Sequence, residues 1–220
     1  MKIFNYILSA IIFVLLALII IAYASGYKID LISRNISATS LIEIQTGAHD
    51  AEIYLNNKFV GNGRATIRNL GPGRYEIKIK RNDYKEWSKT INLSAGQAEI
   101  FNDIVLFKEN PRVEKFDFGA DKEKLFKLSD TSMLRSNGGE IYQNDILVTR
   151  ISSNVKGICW YTDPRYIAFT ADNKLKIVQF DGTNMINLAD KDSESPVVFV
   201  NSGKSVIFEN KGEIYRAEIR

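Results

Sequence analysis

From Ile3 to Tyr27 no side chain carries a charge, and within Tyr6–Ala24 only Ser9 is clearly polar. Some twenty apolar residues, at about 1.5 Å each, reach ~30 Å, the depth of a bilayer's hydrocarbon core. A helix satisfies its own backbone hydrogen bonds in lipid, and Tyr6 and Tyr23 suit the two headgroup layers. The pattern predicts a transmembrane helix over 6–24, acting as a signal anchor, behind a short cytoplasmic tail of residues 1–5. A cleaved signal peptide is the alternative, because Ala22-Tyr23-Ala24 has the small-x-small form of a cleavage site. The apolar run exceeds the usual ~7–15 residues of a signal and only Lys2 precedes it, which favours the anchor. Lys2 stands on one side, Lys28 and Arg34 with Asp30 on the other, a weak positive-inside signal. A short charged tail before a long C-terminal region reads as a single-pass cell-membrane protein with extracytoplasmic domains.

Beyond a stalk over 25–40 the helical period gives way to short strands. Leu41-Ile42-Glu43-Ile44 opens the series. Ile53 and Leu55 alternate with polar neighbours ahead of an Asn56-Asn57-Lys58 turn, and Arg64–Leu70 ends at Gly71-Pro72-Gly73. Tyr75, Ile77 and Ile79 then alternate with Glu76, Lys78 and Lys80, as in a half-buried antiparallel strand. Ile91 and Leu93 continue, Ala95-Gly96 turns, and Ile100–Phe107 closes the unit. Six or seven short strands over 41–107 predict a small β-sandwich. The charge-rich stretch over 108–132, with Glu114, Lys115, Asp117, Asp121, Lys122, Glu123 and Lys124, reads as a linker.

The run Asn69-Leu70-Gly71-Pro72-Gly73-Arg74-Tyr75-Glu76-Ile77-Lys78-Ile79, followed by Asp83-Tyr84 and Trp87, resembles the PEGA domain family. Ala51 before Ile53-Tyr54-Leu55, and Val60-Gly61, match its preceding hairpin. The motif positions are Ala51, Gly61, Leu70, Pro72, Gly73 and Tyr75. The chain departs from the family pattern at three places. Ala48-His49-Asp50-Ala51 keeps only the last residue of the naming tetrapeptide, Arg64 stands where proline is usual, and Asp83 replaces the glycine before Tyr84. The resemblance implies a non-catalytic β-sandwich module on envelope proteins, involved in surface contacts.

An internal repeat occupies 133–220. Trp160 and Phe169 are echoed by Phe199 and Phe208, and Leu175 by Ile214, while Gly139-Glu140-Ile141-Tyr142 is nearly rewritten as Gly212-Glu213-Ile214-Tyr215. A period near ~40 is that of four-stranded propeller blades. Phe180-Asp181-Gly182-Thr183-Asn184 resembles the strand-ending turn of WD40-like blades in Tol-associated propellers, with Asp181 and Gly182 as its motif positions. The region holds about two blades where a ring needs at least about four. Its open edges and apolar face then need a cover: the sandwich, a second copy of the chain, or another protein. A truncated array reduced to a β-meander is the other reading. The expected fold class is all-β apart from the N-terminal transmembrane helix, a small β-sandwich followed by partial propeller-like β-blades.

The 220 residues suffice for one large or two small domains. One cysteine and one histidine exclude a disulfide framework and leave little for metal or triad chemistry, and a net charge of +3 is too mild for nucleic-acid binding. No cofactor is expected and the chain reads as non-enzymatic. His49 reads as a turn residue and Cys159 as a buried small hydrophobe. A wall-directed hydrolase would need two acids across a cleft, and Glu43, Asp50, Glu52 and Asp83 are the available carboxylates. Two features are candidate ligand contacts. One is the basic face with Lys78 and Lys80, joined by Arg74, Arg81, Lys85 and Lys89, which suits anionic polymer or headgroups or is simply a solvated face. The other is Tyr84 with Trp87, which can stack on sugar rings or cap the core. Expected partners are the membrane through the helix, and a protein or cell-wall polymer. A homo-oligomer through open blade edges is a further possibility. The main alternative role is an extracytoplasmic sensor or accessory subunit docking through those blades.

Overall fold

The computed structural model describes residues 2–24, 26–30, 35–117, 119 and 122–220. Arg34 and Asp121, named above, lie outside them. By packing, the chain divides into two units, residues 1–79 with 90–105 and residues 80–89 with 106–220.

The first unit begins with helix α1 (Lys2–Ala24). Its Tyr6–Ala24 segment is long and apolar enough to cross a membrane, a property shared by anchors and signal sequences, and no part of it is buried against the protein. The Gly26 amide donates to the Tyr23 carbonyl at 3.1 Å, and a φ of +80° there turns the chain out of the helix. Glycine takes that left-handed conformation without a Cβ penalty. The residues expected as a stalk include a two-stranded antiparallel ribbon, β1 (Tyr27–Asp30) and β2 (Asn35–Ala38), with Tyr27 opposite Ala38.

Seven strands follow: β3 (Ser40–Thr46), β4 (Glu52–Leu55), β5 (Lys58–Asn62), β6 (Arg64–Leu70), β7 (Gly73–Lys80), β8 (Trp87–Leu93) and β9 (Ala98–Ile104). They form a three-stranded sheet, β6-β3-β9, and a four-stranded sheet, β5-β4-β7-β8. The predicted alternation is realised: Ile42, Ile44, Ile53, Ile77 and Ile79 are fully buried, while Glu43, Glu76 and Lys78 stay partly open. Each such isoleucine contributes roughly 1.5–3 kcal/mol by leaving water. β9 runs parallel to β3, so the chain must cross from one sheet to the other before returning.

In the second unit, the residues read as a linker contain β10 (Arg112–Lys115) and α2 (Lys122–Phe126), whose Leu125 and Phe126 are buried. β10 escaped the pattern because all four of its side chains are exposed, so nothing alternates. Eight residue-pair ladders then build three consecutive antiparallel sheets where two blades were expected. The first is β11 (Leu134–Asn137), β12 (Glu140–Gln143) and β13 (Ile146–Arg150). The second is β14 (Lys156–Trp160), β15 (Tyr166–Ala171), β16 (Lys174–Gln179) and β17 (Ile186–Asp190). The third comprises β18 (Val198–Val200), β19 (Ser205–Asn210) and β20 (Glu213–Glu218), in the order β10-β20-β19-β18.

The repeat is structural. β15 and β19 lie 39 residues apart at both ends, as do β16 and β20. Cross-strand partners repeat at the same offset: Cys159 faces Ala168 as Val198 faces Ile207, and Phe169 faces Lys176 as Phe208 faces Tyr215. In the third sheet β10 lies against β20 where β17 lies against β16 in the second. The GEIY echo falls on β12 and β20, the middle strands of the first and third sheets. β15 is buried along its whole length, the mark of a strand covered on both faces.

Candidate functional site

The four candidate contacts are placed differently from one another. Lys78 Nζ lies 3.0 Å from Glu76 Oε2 and donates to Asn57 Oδ1 at 2.9 Å. Glu76 and Lys78 are two apart on β7, hence on one face of the strand. Lys80 Nζ lies 3.2 Å from Glu86 Oε2. Both lysines are therefore matched by local carboxylates, and the strand presents a mixed face. Tyr84 is half-buried under the Arg81 guanidinium, 4.3 Å from its ring centroid, an arrangement that itself uses the aromatic face. Trp87 is 4 % exposed, so its indole packs inside the protein and offers no open face to a sugar.

Segment 80–89 is held by the rest of its unit. Tyr84 pairs with Lys108 as an isolated bridge, the Lys85 amide donates to the Phe107 carbonyl at 2.8 Å, and the Glu109 amide donates to Asp83 at 2.8 Å. Lys89 Nζ donates to Asp181 Oδ2 at 2.7 Å and the Ser88 amide to Asn184 Oδ1 at 2.9 Å. The Asp181-Gly182-Thr183-Asn184 turn is thus a receptor for residues 88 and 89. Gly182 is required there: at φ +80°, a Cβ would lie 2.6 Å from the Val148 carbonyl oxygen. Burial opposes ionisation of Asp181, but hydrogen bonds from Lys89 and from the Thr183 hydroxyl and amide outweigh it and hold the carboxyl below its ordinary value. A carboxyl so depressed stabilises the fold above its ordinary value of 3.8 and loses that contribution as pH falls through the native one. Asp181→Asn should cost about 1–2 kcal/mol in urea titrations near pH ~7, a gap that shrinks as the titrations are moved to about pH 3. A gap independent of pH would contradict this.

The motif residues serve the sandwich. Ala51 is fully buried, Leu70 pairs with Ser40, and Tyr75 closes the Gly71-Pro72-Gly73 turn by donating its hydroxyl to the Gly71 carbonyl at 2.9 Å. Gly61 lies opposite Ile53 in the β4–β5 hairpin. His49 is exposed in its turn, against which Gly63 packs so closely that a Cβ would lie 2.8 Å from the His49 Cα. Among the described residues no group of three or more His, Cys, Asp or Glu side chains is placed to hold a metal ion. Cys159 is buried, and its thiol is pushed up to about 11 by that burial, which makes it a poor nucleophile. A surface depression lined by Asp172, Lys174, Asp190, Asp192 and Lys211 is crossed by internal bonds. Lys174 pairs with Asp190, and Asp192 Oδ1 accepts from the Lys211 amide at 2.8 Å.

Two segments whose sequences resemble WD40-like blades, Trp160-Tyr161 and Leu147-Val148-Thr149-Arg150, have structural roles that the sequence does not reveal. Tyr161 sits at the centre of an aromatic cluster, 5.5 Å from Phe107, 6.0 Å from Tyr166 and 4.8 Å from Phe199 between ring centroids, and donates its hydroxyl to the Gly203 carbonyl at 2.8 Å. Trp160-Tyr161 together resemble a blade segment, but only Trp160 has an aromatic echo at the 39-residue offset, in Phe199. β13, with Ile146 72 % and Leu147 44 % exposed, forms an edge of the first sheet with apolar side chains in water. The signal for it was present in Ile146-Leu147-Val148, an apolar run without alternation.

No curated protein matches the chain. Residues 39–104, which span β3 to β9, match the PEGA domain family.

Proposed function

We propose that the chain is a non-enzymatic, single-pass membrane protein of the cell envelope that displays its β-domains outside the cytoplasm to dock a protein partner. The observation that carries the reading is the junction of an apolar, span-length helix with a PEGA-type sandwich: the Gly26 carbonyl accepts both the Thr39 amide, at 2.6 Å, and the Thr39 hydroxyl, at 2.8 Å. Tethering of this kind raises the local concentration of a weak binder near its target. The exposed edge strand β13 suits a protein partner, since edge strands pair readily with another chain. We take the three C-terminal sheets to be blades of the WD40-like type, supported by the 39-residue offset of their strands and the Asp181-Gly182 turn. In that case the sensor or accessory-subunit role is one form of the same docking function. The buried Trp87 counts against the cell-wall polymer.

The test is expression of the full chain, followed by alkaline carbonate extraction, N-terminal sequencing and co-sedimentation with cell-wall sacculi. The expected result is retention in the membrane pellet with residues 1–24 intact, and sacculus binding that disappears in modest salt. Cleavage after Ala24 would overturn the anchor. Salt-resistant pelleting lost on Tyr84→Ala would replace the protein partner with the wall polymer.

A further inference from the structure

The same junction fixes which end of the sandwich meets the membrane. The apolar span ends at Ala24, and Gly26, two residues on, is within about 7 Å of it even if the chain is fully extended. Through Thr39 that point is tied directly to Ser40, the first residue of β3. Ser40 Oγ donates to the Ser94 carbonyl at 2.6 Å and accepts from the Gln97 amide at 3.2 Å, and the Leu41 amide donates to Gln97 at 3.0 Å. A Cβ on Gly96 would lie 3.5 Å from the Ala38 Cβ. Across the sheet Ser40 is the register partner of Leu70, at the start of the Gly71-Pro72-Gly73 turn. Two turns, 71–73 and 94–97, therefore surround the point where the span enters the sandwich. The His49 turn follows the other end of β3.

The charge at this rim is net positive. From Ala65 through Tyr75 the chain holds Arg68 and Arg74 and no carboxylate, and from Thr90 through Ala98 it holds no charged side chain. Arg68 and Arg74 are exposed and make no ion pair among the described residues. Of the nearest carboxylates along the strands, Glu76 is paired with Lys78, and Glu99 accepts from the neutral Gln97 amide and keeps its charge, so the two arginines leave the rim net positive. A headgroup layer is about 5–8 Å deep and the Debye length is ~8 Å at physiological salt, so long arginine side chains at this rim fall inside the field of charged lipid.

We propose that this rim, Arg68 and Arg74 about the Gly71-Pro72-Gly73 turn together with the Ser94–Gln97 turn, rests on the headgroups of anionic lipid. The surface lies on unit 1 alone and differs from the Lys78/Lys80 face, whose charges are matched. It rests on the anchor reading above. Docking at the rim would fix the height of the sandwich over the bilayer.

The test uses the full chain in vesicles of phosphatidylcholine, alone or mixed with phosphatidylglycerol. A fluorophore is placed on Ala95→Cys or, as the distal control, on His49→Cys; Cys159 is fully buried and does not compete for the label. Quenching by headgroup-spin-labelled lipid should be stronger in the anionic vesicles at position 95 and unchanged at position 49. The double substitution Arg68→Gln/Arg74→Gln should lower the ratio of docked to undocked chain by roughly 30-fold and return position 95 to its level in neutral lipid. Equal quenching in both lipids, or no response to the double substitution, overturns the rim while leaving the anchor in place. A chain stripped from the vesicles by carbonate overturns the anchor, and the rim with it.

Discussion

Phe169→Ala is expected to destabilise the C-terminal unit by about 4 kcal/mol, and Phe208→Ala by a similar amount. The two positions are one position repeated, 39 residues apart on β15 and β19, and both rings are at most 1 % exposed. Phe169 belongs to a core cluster with Ile141, Val155, Ile167 and Val178, which draws on both the first and second sheets. Removing its ring deletes contacts to two sheets at once and leaves a void that stiff antiparallel strands fill poorly. Phe208 stacks on Tyr215 at 6.0 Å with an interplanar angle of 24°, so its loss also strands an aromatic partner. Both tryptophans, Trp87 and Trp160, lie in this unit, so their emission during urea denaturation of the detergent-solubilised chain reads it directly. A cost under about 1 kcal/mol at either position would mean that the repeat pairs strands without building an equivalent core.

The parts of this fold that could be read from the sequence are those where one physical force acts alone. The span is visible because lipid demands an unbroken apolar run. β7 is visible because one face is buried and the other wet, so Ile77 and Ile79 mark it by alternation. The 39-residue offset came from Trp160, Phe169 and Leu175, large apolar side chains of which Phe169 and Leu175 are fully buried and Trp160 partly so. Features set by tertiary partners were hidden. β10 has four exposed side chains and exists because β20 offers it a ladder. Trp87 reads as a core group or a ligand platform, and its burial decides for the core. Nothing in the sequence singles out Arg68, because what distinguishes it is the position of the span relative to Leu70, a relation between residues far apart in the chain. Lys191 is the clearest case. Within Asp190-Lys191-Asp192 it reads as part of a solvated charge run, yet it is wholly buried.

Lys191→Met is expected to cost about 3 kcal/mol, although the residue lies outside the apolar core. The amine donates to Thr170 Oγ1 at 2.9 Å and to the carbonyls of Ser193 and Ser195 at 2.6 and 2.7 Å, so three acceptors surround its three protons. The loop after β17 curls around its own lysine, and methionine fills the volume while leaving those acceptors without a donor. Burial pushes the ammonium down to about 8, against the opposing influence of Cys159, Glu209 and Asp192. The native chain then releases this proton near 8 and the unfolded chain near 10.5, so between those values the unfolded state holds more protons. Stability gained from this group must therefore rise with pH, and the gap between wild type and Lys191→Met should widen by roughly 2 kcal/mol from about pH 7 to about pH 9.5. Parallel stability curves would show that the amine titrates normally and is not enclosed. Gly157 supplies an independent check on the same loop. At φ +53° a Cβ there would lie 2.5 Å from the Ser195 carbonyl oxygen, the same atom that accepts from Lys191, and would push it away. Gly157→Ala should then lose about 3 kcal/mol from backbone strain and displacement of that carbonyl together. Because both substitutions break one bond, the double variant should fall short of the sum of the two by about 1 kcal/mol or more. Full additivity would place the lysine and the glycine in separate parts of the loop and remove the carbonyl of Ser195 as the link between them.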